Sequence, residues 1–326
     1  MKFLIIRFSS IGDIVLTTPV IRCIKNKYPD AEIHYLTKAQ FHPVLAGNPY
    51  IDKFHLMQHE VKEILPDLKA ENFDYVIDLH KNIRSVLVKR ALGKPSFSFD
   101  KINFAKWVKV NLKFHLLPNK HIVDRFFDGI AKLQITNDGH GLDYFIWQNE
   151  IYDFNPPHEH GKYYALVLGA KHATKRLPFN KLEELCKSIN HNIVLLGGKE
   201  EIEIGEKLNN LFPEKIINYC GKINLNQSAL LVKNAGSVIT HDTGLMHIAA
   251  AFKKPIISIW GSTIPEFGMY PYYGEKHKDL AAQSQILEVA NLSCRPCSKI
   301  GFDKCPKGHF KCMNGIDFEE IKIPLN

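Results

Sequence analysis

Short apolar runs, each long enough for one buried strand, alternate with helical stretches along this chain of 326 residues. Residues 2–8, 32–37 and 75–80 read as strands in the first half. Residues 163–169, 192–196, 237–240 and 255–260 do so in the second. Helical patterns fall between them, over about residues 14–28, 180–190, 200–211, 227–234 and 244–252. Strand alternating with helix implies α/β layers built on parallel sheets. No apolar run approaches the ~20 residues that a membrane-crossing helix needs. Lys2 does precede Phe3-Leu4-Ile5-Ile6, but Arg7 cuts that run off. It is too short for a signal-peptide core, so a cytoplasmic protein is expected.

The segment Asn155-Pro156-Pro157-His158-Glu159-His160-Gly161 is polar and carries two adjacent prolines, which marks a linker. It separates residues 1–155 from residues 162–326, two strand-first halves of similar size. Each half is large enough for a core without disulfide staples. Two such domains in tandem suggest a ligand in the cleft between them. Ligands of open α/β sheets gather at the carboxyl ends of the strands.

The motifs lie at those ends. Ser9-Ser10-Ile11-Gly12-Asp13 follows the first strand. Gly12 allows a tight turn and close backbone approach. Asp13 reads either as a helix cap or as a general base. His241-Asp242-Thr243-Gly244-Leu245-Met246-His247 follows the strand at 237–240. Asp242 or Thr243 would cap the next helix, whose free N–H groups form a site for phosphate. His247, one turn in, faces the same anion or is a core histidine. Lys171, Lys175 and Arg176 follow the strand at 163–169 and suit a diphosphate or a solvated face. Glu200, after Gly197-Gly198-Lys199, would accept from ribose hydroxyls or favour a helix start. Neither G-x-G-x-x-G nor G-x-x-x-x-G-K-[ST] occurs, which removes the dinucleotide fingerprint and the P-loop. The carboxylate-rich D-x-D pattern of metal-dependent sugar transfer is absent from the motif set as well.

Charge and cysteines add two clues. The net charge is +8. Residues 81–125 hold eleven cations against two acids, so the excess lies in this window. Phe97, Phe99, Phe104, Trp107 and Phe114 share it. Basic and apolar side chains together suit an anionic membrane surface or a solvated helical face. No nucleic-acid motif lies there. Cys294, Cys297, Cys305 and Cys312 cluster near the end, spaced as a structural zinc site, as reduced thiols or as redox disulfides. Cys23, Cys186 and Cys220 are expected to be buried.

Taken together, the motifs resemble glycosyltransferase family 9, which contains the ADP-heptose:lipopolysaccharide heptosyltransferases. The matching pieces are the opening with Ser9 to Asp13, Asp78-Leu79-His80-Lys81-Asn82-Ile83-Arg84-Ser85, the turn from Lys175 to Pro178, Gly197 to Glu200, and Asp242 to Ala251. The resemblance implies a GT-B fold, two Rossmann-like domains facing across a cleft. It implies an inverting transferase with no catalytic metal and no required cofactor. The C-terminal half, including a Cys-rich segment at 294–312, would bind the nucleotide sugar, most simply ADP-heptose. The N-terminal half would bind the lipid A-linked core oligosaccharide at the inner face of the cytoplasmic membrane. Asp13 falls on the family's catalytic base. Lys175, Glu200, Asp242, Thr243, Gly244 and His247 fall on the donor site, and Ser10, Gly12, Asn82 and Arg84 on the acceptor side. Two other readings stay open. One is a GT-B-like transferase or epimerase using a different nucleotide sugar. The other is a non-enzymatic zinc or nucleic-acid binder, which leaves the motif set unused.

Overall fold

The computed structural model describes residues 1–156, 162–319 and 321. Most of the expected linker, from Pro157 to Gly161, lies outside the described residues. The first half is a parallel sheet of β1 (Lys2–Ile6), β2 (Glu32–Lys38), β3 (Lys53–Met57), β4 (Tyr75–Asp78) and β5 (Ser96–Ser98). Its order is β3-β2-β1-β4-β5. The helices α1 (Ile11–Val15), α2 (Thr18–Lys27), α3 (Val61–Ala70), α4 (Ile83–Leu92), α5 (Asn103–Asn111) and α6 (Ile122–Gly129) belong to this half. The second half holds β6 (Tyr163–Val167), β7 (Asn192–Leu196), β8 (Ile216–Asn218), β9 (Ser237–His241), β10 (Ile256–Trp260) and β11 (Gln285–Glu288). Its order is β11-β10-β9-β6-β7-β8. Here the principal helices are α7 (Phe179–Ser188), α8 (Ile202–Leu211), α9 (Leu225–Asn234) and α10 (Gly244–Ala251). Every pairing is parallel.

Both sheets are doubly wound, as the alternation requires. Strands covered on both faces read as continuous apolar runs, and β6, β9 and β10 are buried throughout. In each sheet the chain reverses direction of winding beside its first strand, β1 or β6, so a crevice opens there at the carboxyl ends.

The single helix expected over about 14–28 is in fact two. Leu16 and Thr17 separate α1 from α2, and Pro19 occupies the first turn of α2. A proline there lacks only an N–H that would be unpaired anyway, whereas inside one long helix it would break a bond. The carbonyls freed at the break are taken up by side chains. The Thr17 hydroxyl donates to Ile14 O at 2.7 Å, and the Thr18 hydroxyl to Val15 O at 2.7 Å. The break keeps α1 short and turns its start toward the crevice.

Candidate active site

A cleft of about 850 Å3 opens where the two sheets present their carboxyl ends. The turn after β1 forms one wall, and the turn after β9 forms the facing one. The two touch through glycines. A Cβ on Gly12 would lie 2.6 Å from His247 Cδ2 and 3.3 Å from Gly244 Cα. A Cβ on Gly244 would lie 2.7 Å from Ile11 Cγ2 and 3.2 Å from Gly12 N. Only hydrogen fits at either position, so the starts of α1 and α10 abut.

Asp13 is the third residue of α1, and Ser10 is its N-cap. The cap is therefore Ser10, three residues before the expected Asp13: the Asp13 carboxylate reaches back to accept from the Ser10 amide at 3.3 Å and the Ser10 hydroxyl at 2.8 Å. Its other oxygen pairs with Arg7 Nη2 at 2.5 Å. Arg7 is itself nearly buried and donates to Ser9 O at 3.0 Å and to Leu79 O. Burial pushes the Asp13 carboxyl up, but the Arg7 charge and the Ser10 hydrogen bonds outweigh it, and the net shift is downward. Asp13 is ionised, fixed in direction and open to the cleft.

Across the contact, Lys175 Nζ pairs with Asp242 Oδ2 at 2.5 Å, and the Thr263 hydroxyl donates to the same oxygen at 3.1 Å. Asp242 thus does not cap α10. Thr243 holds the N-cap position, but its side chain makes no cap bond, so the first amides of α10 face the cleft. Lys171, His172 and Lys175 line the same wall. His247 is buried, and its Nδ1 has no hydrogen-bond partner. Burial lowers its pKa to about 4, against the pull of Asp242 and Asp13. Its imidazole is neutral at pH 7 and offers a hydrogen bond, not a charge.

His241 is likewise buried, and burial first and the Arg176 charge second lower its pKa from the ordinary 6.5 to about 4. Between these values the unfolded chain takes up protons that the folded chain refuses. Stability therefore falls as pH drops from 6.5 toward 4, by up to about 3 kcal/mol per histidine. Thermal unfolding across this range checks the point. An unchanged midpoint would mean that neither ring stays neutral in the fold.

Three expected site residues stand apart from the cleft wall. Asn82 is the N-cap of α4, with its carbonyl accepting from Ser85 N at 3.0 Å. Arg84, two residues on, is exposed. Glu200 pairs with Arg176 Nη2 at 2.8 Å and is largely exposed. The basic window does reach the cleft, through Lys101, Lys106 and Arg125. Lys106 has its pKa lowered to about 8, by burial first and by Arg125 second. Arg7 and these three were not singled out as site residues in the sequence. A lone cation ending a buried strand was the available signal for Arg7.

The cysteines follow the expectations only in part. Cys23, Cys186 and Cys220 are buried. Cys294, Cys297 and Cys305 are half-buried, Cys312 is buried, and all are free thiols. Among the described residues, the four sulfurs are not gathered within ligand distance of a common point. The geometry does not support the zinc reading.

The family model for glycosyltransferase family 9 (heptosyltransferase) matches residues 62–301. The chain belongs to glycosyltransferase family 9. It is a glycosyltransferase of GT-B architecture. Within family 9 it is similar to lipopolysaccharide heptosyltransferase 1 of Campylobacter coli, 25% identical with 81% of this chain and 84% of that one covered. Lipooligosaccharide heptosyltransferase 2 of Haemophilus influenzae is 26% identical, covering 82% and 85%. Among solved structures, E. coli ADP-heptose lps heptosyltransferase II matches with a TM-score of 0.69 at 21% identity, covering 97% of this chain and 98% of that one. E. coli heptosyltransferase WaaC with ADP-2-deoxy-2-fluoro heptose matches with a TM-score of 0.69 at 22% identity, covering 92% and 96%. These likenesses establish the fold of the family 9 chain. Among its described residues, no helix is long and apolar enough to cross a membrane.

Proposed function

We propose that this enzyme transfers a heptose from ADP-heptose to the lipopolysaccharide inner core on lipid A, with inversion and without a catalytic metal. The observation that carries the reading is the abutment of the start of α1, which carries Asp13, on the N-terminus of α10 through Gly12 and Gly244. It puts an ionised, oriented carboxylate beside an anion site in one cleft. The C-terminal half, residues 162–326, holds the donor. The α10 amides, Thr243, Gly244 and Lys175 take the diphosphate. Asp242 holds Lys175 in place and exchanges it for a phosphate as donor binds. His247 donates to the donor from its neutral ring. The N-terminal half, residues 1–155, holds the acceptor, with Ser10 and Gly12 near the reacting hydroxyl.

In the reaction the acceptor oxygen attacks the anomeric carbon while Asp13 accepts its proton. The bond from that carbon to the diphosphate breaks on the opposite face, and the configuration inverts. Negative charge growing on the leaving oxygen is met by preorganised amides and by Lys175, which is electrostatic catalysis with no metal. Lys101, Lys106 and Arg125 in the cleft replace Asn82 and Arg84 as the groups best placed to meet acceptor anions. A donor panel with purified lipid A-linked core acceptors tests the reading. ADP release is expected with ADP-heptose and only when acceptor is present. Turnover of another nucleotide sugar in its place would overturn the assignment of donor.

The acceptor is anchored in a membrane, and the enzyme should meet it at the cytoplasmic face. Phe104, Trp107, Leu112, Phe114 and Leu116 are exposed on and after α5, beside Lys109. Lys106 and Lys113 serve other ends: Lys106 faces the cleft, and Lys113 donates to Val110 O, Cys294 O and Pro296 O. Vesicles of anionic lipid are expected to sediment the wild-type protein. Phe104→Ser with Lys109→Glu should lower the bound fraction several-fold, since each basic residue contributes about 1 kcal/mol at such a surface. Equal sedimentation of both proteins would remove this surface from the account.

A further inference from the structure

At the opposite pole of the N-terminal sheet, where the strands begin, two buried histidines and a carboxylate converge. His34 on β2 and His55 on β3 are both buried, and their Nδ1 and Nε2 atoms lie 3.0 Å apart. Glu71, at the C-terminal end of α3, brings Oε2 to 3.9 Å from His34 Nδ1. One donor atom from each of the three lies within 4.8 Å of the others, the one such group among the described residues. Phe73 packs edge-on against both rings, at 5.2 and 6.1 Å between centroids, and walls the site on its apolar side.

The orientation of His34 is a second, independent observation. Its Nε2 lies 2.6 Å from Glu32 Oε1. A ring that donates Nε2–H to a carboxylate keeps Nδ1 as a lone pair, which is how metal-binding histidines are held in their tautomer. That lone pair points at His55 and Glu71. The two ring nitrogens can share only one hydrogen between them. Tetrahedral zinc, with ligands at about 2.0–2.1 Å, spaces its ligand atoms about 3.3 Å apart. His34 and His55 need to open by a few tenths of an ångström to reach that spacing, and Glu71 Oε2 to close on His34 by about 0.6 Å.

We propose that His34, His55 and Glu71 form a binding site for a divalent cation of the zinc class, remote from the transfer chemistry, with Glu32 as the positioning residue. Two imidazoles and one carboxylate are a donor set for zinc rather than for calcium or magnesium. On binding, the hydrogen between the rings passes to His55 Nδ1, so no oxidant or reductant is involved. The competitor is already in place. Lys2 Nζ lies 2.8 Å from Glu71 Oε2, and Lys53 pairs with the other oxygen. The Lys53 side chain is more than half exposed and can swing into solvent. A cation at the site would tie the β2–β3 edge to the end of α3.

Cobalt titration of the full-length, chelator-stripped enzyme tests this, because cobalt reports its ligands by colour. Wild type is expected to develop the visible bands of a tetrahedral nitrogen and oxygen site, with no near-ultraviolet thiolate charge transfer. His55→Ala and Glu71→Gln should each weaken binding at least tenfold, and Glu32→Gln about tenfold. Lys53→Met should tighten it, because the carboxylate loses a rival cation. That gain would not follow from a purely structural role. Circular dichroism establishes that each variant folds, and Glu71→Gln and Lys53→Met keep the test alive if His55→Ala does not. Three results would overturn the site: no bands in wild type, bands undiminished in Glu71→Gln, or bands that carry thiolate charge transfer and vanish in Cys297→Ser.

Discussion

Asp13→Asn is expected to lower kcat on the order of 10³-fold while ADP affinity stays within about threefold of wild type, the range in which a lost general base falls. The substitution keeps the shape of the side chain and its place in the first turn of α1. Arg7 retains its bonds to Ser9 O and Leu79 O, so the turn stays anchored. What disappears is the anion that takes the acceptor's proton. Because the Asp13 carboxyl is shifted down, its loss on acidification should appear below the usual carboxylate range, and the acid limb of kcat/KM should lie there too. Lys175→Ala should move the other parameter. It removes a charged contact to the diphosphate, and ADP should bind about tenfold more weakly. Calorimetry with ADP and turnover with saturating donor separate the two. Near-wild-type turnover in Asp13→Asn would remove Asp13 as the base. An unchanged dissociation constant in Lys175→Ala would remove that lysine from the phosphate site.

The strands visible in the sequence, and those that were not, differ in where they sit. Residues now assigned to β1, β2, β4, β6, β7, β9 and β10 could be picked out as apolar runs. The four that could not, β3, β5, β8 and β11, are the outer strands of the two sheets. An outer strand has a half-exposed face and no reason to be apolar throughout. Thus β11 reads Gln-Ile-Leu-Glu with one buried residue, and β5 reads Ser-Phe-Ser with none. The site divides in a similar way. Asp13, Lys175, Asp242, Thr243, Gly244 and His247 announce themselves because they sit in turns that follow buried strands. The ion pairs do not. Arg7 and Asp13 are six positions apart, and only the abrupt turn at Ser9-Ser10 folds one onto the other. Lys101 and Lys106 reach the cleft from a stretch whose charge count suggested a surface, since a count carries no direction. Asn82 and Glu200 came from the resemblance, and their local partners, Ser85 and Arg176, hold them apart from the cleft wall.

Gly244→Ala is expected to reduce kcat about 100-fold while the protein remains folded. The added methyl would sit 2.7 Å from Ile11 Cγ2, 2.9 Å from Ile11 Cβ and 3.2 Å from Gly12 N. The first of these is the end of a side chain that can turn aside. The other two belong to the frame of α1, so relief needs the two helix starts to move apart. Gly244 carries no positive φ, and alanine costs nothing in its own backbone conformation. The strain is therefore local to the contact, and the sheets on either side keep their cores. The contact sets the distance from Asp13 to the first amides of α10. Separating them by as little as 1 Å moves the base away from a donor held by the α10 amides, a displacement of the kind that costs about 100-fold in rate. Gly12→Ala attacks the same contact from the other side, at 2.6 Å from His247 Cδ2, and should give a similar loss. Because both substitutions disturb one distance, the double variant should be little worse than either single one. ADP affinity depends on groups of the C-terminal half, so it should change much less than kcat in Gly12→Ala. Additive losses in the double variant, or a fall in ADP affinity as large as the fall in kcat in Gly12→Ala, would show that the glycine contact does not couple the two walls of the cleft.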